Sequence, residues 1–369
     1  MPTERAAAHA RAGAYLEVDL SAIQENYRRL SGRLGRAECA AVVKADAYGL
    51  GVTKVAPALW AAGARRFFVA LPDEAIAVRK VLPTAQVFVL GGLFGGAERD
   101  YLAHGICPVL NSLGEIAAWR ALPPAERPPA AIQFDSGLSR LGLPADEAAR
   151  LIDDPSLLEG IELGFLMSHL ACAEEQEHPL NSRQRQAFSD FCRRFPQMRR
   201  SFANSSGIFL GPEYHFDMAR PGVALYGGNP TPGCENPMAS CIRLRSRILQ
   251  VRDIARGESV GYGATFTATQ PTRIATVATG YADGYSRYLS NIGRLWLADY
   301  CVPIVGRISM DLITLDVSGL PADISMPGAL VDLIGDRETV DDIAEKAGTI
   351  AYEVLTSLGG RFHRIYKEA

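Results

Sequence analysis

The sequence predicts an α/β plus β protein, an N-terminal (β/α)8 TIM-like barrel followed by a C-terminal mostly β domain. Three observations carry the prediction. Eight short apolar runs alternate with amphipathic helical runs between about residues 38 and 225. After about residue 240 the side chains alternate with a period of two. No G-x-G-x-x-G opens after a strand, which argues against an open doubly wound sheet. A chain of 369 residues, 48% of them hydrophobic, can fill two such cores.

Residues 1–14 read as a loose, Ala-rich tail that lacks the apolar stretch of a signal peptide. AYLEVDL is a strand, residues 15–20 being associated with the β domain, and the helix SAIQENYRRL leads into a barrel assigned to 15–240. The barrel strands are ECAAVVK (38–44), RFFVAL (66–71), QVFVLG (86–91), ICPVL (106–110), AAIQFD (130–135), LGFLMSHL (163–170), RSFAN (200–204) and YHFDMA (214–219). Between them, GVTKVAPALWAAGA places Val55, Leu59 and Ala62 on one helical face, and NSRQRQAFSDFCRRF does the same for Phe188, Phe191 and Phe195. GGLFGG at 91–96 is a strand-to-helix turn. From 241 to 369, CIRLRSRIL, RIATVAT, RLWLA, VPIVG and LITLDV are strands separated by Gly, Pro and Asp, with short helices in DDIAEKAG and AYEVLTSLG.

Composition removes several classes of function. A net charge of −3 without a long basic run gives no footing for nucleic acid, and no apolar stretch is long enough to span a membrane. Seven scattered cysteines without a C-x-x-C pair point to reduced thiols in a cytoplasm. Six histidines without H-E-x-x-H spacing give no reason to expect a metal.

Barrels carry their chemistry where strands end, and reactive residues recur there: Lys44, Asp135, His169, Asn204 with Ser205, and Arg220. Lys44 ends an apolar run and opens a Gly-bounded turn in AVVKADAYGLG. Burial would lower its pKa and free an amine for covalent or proton-transfer chemistry; the other reading is a strand-end lysine that reaches back to water. ARPGVALYGG and ANSSG each offer small residues with free backbone N–H groups, and either alone reads as a tight turn. Together they form a phosphate site at the late barrel loops, and a phosphate site opposite a strand-end lysine suggests pyridoxal phosphate.

VVKADAYGLG, DSGLSRLG, SHLA, ANSSG, RPGVALYG, VGYGATF, GYADGYSR, VGRISMDL and AYEV, in that order, resemble the motif series of bacterial alanine racemases over essentially the whole chain. The resemblance implies that Lys44 holds pyridoxal phosphate covalently and is one catalytic base, and that Tyr262 is the other. Two bases are needed because a proton leaves one face of Cα while another arrives on the opposite face. It also implies that His169 and Arg220 form a hydrogen-bonded chain near Tyr262, with Arg220 against the cofactor's ring nitrogen. Tyr48, Ser205, Gly222, Val223 and Tyr352 would hold the phosphate, with Asn204 beside Ser205. Arg140 and the Met310 amide would meet the substrate carboxylate, with Asp311 beside it, while Tyr281 and Tyr352 would narrow the mouth to a methyl-sized side chain. Tyr262 and Met310 would come from the partner of a homodimer. Asp283 is expected to be a turn residue. D-alanine for peptidoglycan is the role that the resemblance implies.

Two positions depart from the family pattern. Gln133 stands where members often carry a carbamylated lysine, and His363 precedes Arg364 where proline is common. The alternatives to an alanine racemase are a racemase of broader specificity, acting on serine for example, and a non-catalytic pyridoxal-phosphate carrier. The carrier reading lacks a place for the β domain. A decarboxylase of related architecture would keep an acid, not Arg220, at the ring nitrogen.

Overall fold

The computed structural model describes residues 9–368. The chain divides into two compact units. One is the barrel, Ile23–Leu225 with Asn229–Ala239; the other combines the chain up to Ala22, Tyr226–Gly228 and the chain from Ser240 on. The chain passes from the β unit into the barrel within the helix Leu20–Arg33. No helix among the described residues is long and apolar enough to cross a membrane.

All eight expected barrel strands are present, and every pairing between them is parallel. The first is interrupted at Ala40 into Glu38–Cys39 and Ala41–Val42. Glu38–Cys39 pairs with Met218–Ala219, and Ala41–Val42 pairs with Arg66–Val69. One chain segment therefore meets both the last strand and the second, and the eight-stranded barrel closes. Strands Gln86–Val89, Cys107–Leu110, Ala130–Gln133, Leu163–Met167 and Arg200–Ser201 complete it.

The barrel is filled, not hollow. Phe68 stacks on Phe88 at 5.2 Å, and Phe165 lies 4.9 Å from Phe88 and 5.9 Å from Phe68. Strands Arg66–Val69 and Leu163–Met167 are not neighbours in the sheet, so Phe68 and Phe165 meet through the interior. Burying each ring contributes about 1.5–3 kcal/mol and gives the mouth a rigid floor. On the outside, the helix Val52–Ala62 buries Val55 and Leu59 and leaves Ala62 half-buried. The helix Pro179–Cys192 buries Phe188 and Phe191. Phe195 lies beyond that helix's end, and its ring is tilted against that of Phe191 with centroids 5.3 Å apart.

In the β unit, the 13-residue strand Ile242–Ile254 alternates buried and open residues through its first half. It pairs with Ala14–Asp19, Thr272–Val277 and Leu330–Ile334. Ala14–Asp19 also pairs in parallel with His363–Lys367, so the first and last strands of the chain lie side by side. Arg294–Leu297, Tyr300–Pro303, Ile313–Asp316 and the antiparallel pair Ser259–Val260 and Phe266–Thr267 are its other strands, with helices Val340–Ala347 and Ala351–Ser357. Of the tail expected over residues 1–14, residues 1–8 lie outside the described part. Within residues 9–14, His9 makes two contacts: Tyr15 Oη donates to its carbonyl at 3.0 Å and the two rings are 4.5 Å apart.

Candidate active site

The barrel mouth is built from the residues that follow its strands. Lys44 comes directly after the first strand, and the four residues behind it adopt a conformation the sequence does not announce. Ala45, Asp46, Ala47 and Tyr48 all have φ between +52° and +56°, one turn of left-handed helix without a glycine. Each such residue costs roughly 1–2 kcal/mol, so the turn exists only because its surroundings hold it. Inside, the Gly49 amide donates to the Ala45 carbonyl at 2.7 Å and the Val52 amide to Asp46 Oδ1 at 2.7 Å. From outside, Glu74 accepts the Ala45 amide at 2.6 Å. The turn buries Tyr48 and leaves Lys44 half-buried.

Lys44 holds its proton less firmly than an ordinary lysine, first because of burial and second because of the Arg140 charge; Glu74 opposes both. His169 is pushed down to about 3 by burial, then by Arg220, Arg140 and Lys44, so it is neutral at physiological pH. His169 thus lies within electrostatic reach of Lys44, Arg140 and Arg220, and Lys44 within reach of Arg140.

Arg220 is 4% exposed and has no carboxylate partner among the described residues. Its guanidinium donates to the Ser168 carbonyl at 2.7 Å and to Ser201 Oγ, and lies 5.9 Å from the Phe68 ring. Ser201 passes its own proton to the Met218 carbonyl at 2.9 Å. Burial weakens Arg220's hold on its charge. No hydrogen bond joins His169 to Arg220 among the described residues; the two terminal nitrogens of Arg220 donate to the Ser168 carbonyl and to Ser201 Oγ. His169 is fixed instead through its carbonyl, which accepts from the buried Gln184 at 3.0 Å. Sequence reasoning missed Ser168, Ser201 and Gln184, and of these only Ser168, inside SHLA, sits in a motif that singled out its neighbour.

The late loops form a cradle. Ser205 Oγ accepts the Gly222 amide at 2.9 Å and the Ala224 amide at 3.3 Å. A Cβ on Gly222 would sit 2.2 Å from Tyr48 Oη, so glycine is required for the tyrosine hydroxyl to come this close. Val223 opens the 3-10 turn Val223–Tyr226, and Asn204 Oδ1 accepts the Gly207 amide at 2.8 Å. Tyr48, Ser205, Gly222 and Val223 thus lie together: Ser205 Oγ takes the Gly222 amide, and the Tyr48 hydroxyl closes in on the same glycine. Those hydroxyls and amides, a lysine whose proton burial loosens and a buried arginine without a carboxylate partner are groups that fit pyridoxal phosphate: an anion site, an amine and an acid-free partner for the ring nitrogen.

Arg140 is exposed on the loop after the fifth strand and has no hydrogen-bond or ion-pair partner among the described residues. Its loop is firmly held all the same. Asp135 Oδ1 accepts the amides of Gly137 and Leu138 at 2.9 Å each, and Ser139 donates to both carboxylate oxygens. Gln133, 6% exposed, donates from Nε2 to the Leu141 carbonyl at 2.9 Å. Gln133 therefore grips the backbone beside Arg140 and not the guanidinium.

The remaining predicted residues lie on the β unit. Tyr262 is 72% exposed, at a turn whose flanking glycines, Gly261 and Gly263, have φ of 73° and 72°. A Cβ on Gly263 would be 2.8 Å from Arg307 Nη1, so a cation lies beside this turn, at the edge of a hollow of about 510 Å³ lined also by Ser259, Ser309 and Thr314. Tyr281 and Met310 are brought together by backbone bonds, Tyr281 to the Ser309 carbonyl and Ala282 to the Met310 carbonyl, both at 3.0 Å. Asp283 is a turn residue as expected, accepting the Gly280 amide at 2.9 Å. Arg361, which no motif singled out, bridges Asp283 at 2.9 Å and Asp311 at 2.8 Å. Tyr352 is half-buried on the helix Ala351–Ser357.

Comparison with known proteins agrees with the fold of a barrel followed by a β unit. The family model described as "Alanine racemase, N-terminal domain" matches residues 18–230, and "Alanine racemase, C-terminal domain" matches 241–366. The chain is 51% identical to the alanine racemase of Rhodospirillum rubrum, covering 96% of each. It is 50% identical to the catabolic alanine racemase of Mesorhizobium japonicum over 97% of this chain and 94% of that one. The structure superposes on that of alanine racemase from Bartonella henselae with covalently bound pyridoxal phosphate, with a TM-score of 0.92 and 42% identity. That match covers 96% of this chain and all of the other.

Proposed function

Because the chain belongs to the alanine racemase family, a pyridoxal-phosphate-dependent family, it interconverts L-alanine and D-alanine, and we propose that Lys44 and Tyr262 are its two bases. The observation that carries the site assignment is a desolvated lysine sharing one barrel mouth with a buried arginine that has no acid partner.

Bound through Lys44, pyridoxal phosphate supplies a sink for the electron pair left when Cα loses its proton. The residues do the rest. Tyr48, Ser205 and the Gly222–Val223 backbone hold the phosphate, joined by Tyr352. Arg220 would meet the ring nitrogen; a guanidinium does not release its proton readily, so it would leave that nitrogen unprotonated and the sink moderate. A moderate sink limits side reactions such as transamination.

Lys44, its proton loosened by burial and by Arg140, takes or returns the Cα proton on one face. Tyr262 does so on the other. Its exposure and that of Met310, 72% and 54%, support a homodimer in which a second copy supplies both. Arg307 supplies positive charge beside the tyrosine. Arg140 and the Met310 amide orient the substrate carboxylate, with Asp311 beside them, and Tyr281 with Tyr352 limits the side chain to a methyl group. The seven cysteines are all free, which supports a reducing cytoplasm.

Proton NMR of L-alanine with the holoenzyme in D2O, followed by a chiral assay, tests this reading. Loss of the Cα–H signal with D-alanine formed is the expected result. Exchange without D-alanine would remove Tyr262 from the mechanism.

A further inference from the structure

Glu74 lies 29 residues from Ala45 in sequence, in the first turn of the helix Pro72–Val81, yet its carboxylate is shared between two neighbouring barrel loops. Oε1 accepts the Ala45 amide at 2.6 Å, the first amide after Lys44. Oε2 accepts the amides of Ala70 and Leu71 at 2.7 and 3.1 Å, in the loop behind the second strand. The Ala45 amide opens the left-handed turn, so this bond acts at the residue where the run of positive φ begins. Three amides aimed at one carboxylate also fix that carboxylate, and its charge lies near the Lys44 amine.

We propose that Glu74 is a positioning residue for Lys44: by tying the Ala45 amide to the Ala70–Leu71 loop, it sets the strained turn that presents the lysine amine to the cofactor. The proposal rests on Lys44 being the residue that carries pyridoxal phosphate. Glutamine is the informative replacement. It keeps size and one carbonyl oxygen, but its amide N–H groups cannot accept from Ala70, Leu71 and Ala45 together. Glu115 supplies a matched control. Its Oε2 accepts the amides of Leu93 and Asn111 at 3.2 and 3.0 Å, joining two other barrel loops away from Lys44.

The experiment uses the full-length apoenzyme of wild type, Glu74→Gln, Glu74→Ala and Glu115→Gln. Each is mixed with pyridoxal phosphate, the rate of covalent capture is followed by absorbance, and the bond is reduced with borohydride and located by peptide mapping; Tm is measured in parallel. Glu74→Gln should slow capture about tenfold, the scale of one charge-assisted hydrogen bond, with a Tm no lower than that of Glu115→Gln, which should capture at the wild-type rate. Capture at the wild-type rate by both Glu74 variants, with the label on Lys44, would overturn the positioning role and leave the Lys44 assignment standing. Equal slowing in Glu74→Gln and Glu115→Gln would overturn it too, because general loosening would then suffice. A wild-type label on another lysine would overturn the Lys44 assignment itself.

Discussion

The Arg220 guanidinium donates to the Ser168 carbonyl at 2.7 Å, and the same guanidinium takes Ser201 Oγ as its second acceptor. A buried cation is thus satisfied by neutral oxygens alone, which leaves its charge uncancelled at the barrel mouth. Lysine in its place keeps the charge but offers one point instead of a fork. Arg220→Lys should leave one acceptor unpaired and lower apoenzyme stability by about 1–3 kcal/mol, read by urea unfolding. Unchanged stability would mean that water or a shift of the Ser201 strand replaces the lost bond.

Lys44 and Tyr262 are separable by what each removes. Lys44→Ala should lose covalent cofactor, seen as loss of its visible absorbance. Tyr262→Phe should keep that absorbance, yet fail to exchange the Cα proton of L-alanine in D2O. Full racemisation by Tyr262→Phe would take the tyrosine out of the reaction.

His169 gives the folded chain a pH dependence with a definite sign. Its pKa is lowered from 6.5 to about 3, chiefly by burial, so the unfolded chain gains a proton on acidification that the folded chain still refuses. Its contribution to stability is therefore complete above pH 6.5 and is lost progressively as pH falls toward 3. The stability of wild type relative to His169→Gln should decline over that window in the apoenzyme. A difference that stays constant with pH would show that His169 titrates alike in both states.

The Gly222 position tests the phosphate cradle. An alanine Cβ would stand 2.2 Å from Tyr48 Oη, and removing the hydroxyl leaves Cζ as the nearest atom at 3.0 Å. Gly222→Ala should weaken pyridoxal phosphate binding by about tenfold or more, and the same change should cost less in a Tyr48→Phe background. Equilibrium dialysis of the four apoenzymes closes the cycle. Additive losses would show that the two residues do not share the site.

The fold was legible because parallel barrel strands are buried on both faces and read as short apolar runs, from Phe67–Val69 to Phe165–Met167. The site was legible where small residues and strand ends coincide, as at Ser205 and Gly222. The left-handed turn was not, because Ala45, Asp46, Ala47 and Tyr48 carry no local preference for positive φ; a non-local bond from Glu74 helps to hold them there. The strand His363–Lys367 has only half-buried or exposed side chains and pairs with the chain's beginning, so neither pattern nor neighbours mark it. Arg361 belongs to the same class, since its partners Asp283 and Asp311 lie at least 50 residues away.

Gln133 tests how the substrate arginine is positioned without a carbamylated lysine. An uncharged amide cannot orient a guanidinium by charge, but it can hold the backbone that carries it, and the Leu141 carbonyl is the acceptor it takes. Activity should therefore be indifferent to removal of dissolved carbon dioxide and bicarbonate. Gln133→Ala should free the Leu141 carbonyl and let the Arg140 loop drift while Asp135 still holds its far side. The loss should then fall on substrate orientation: KM for L-alanine rising by about three- to tenfold, the scale of one neutral hydrogen bond, with cofactor content unchanged. If kcat falls and KM does not, Gln133 acts on the transition state directly, and the loop is not its means.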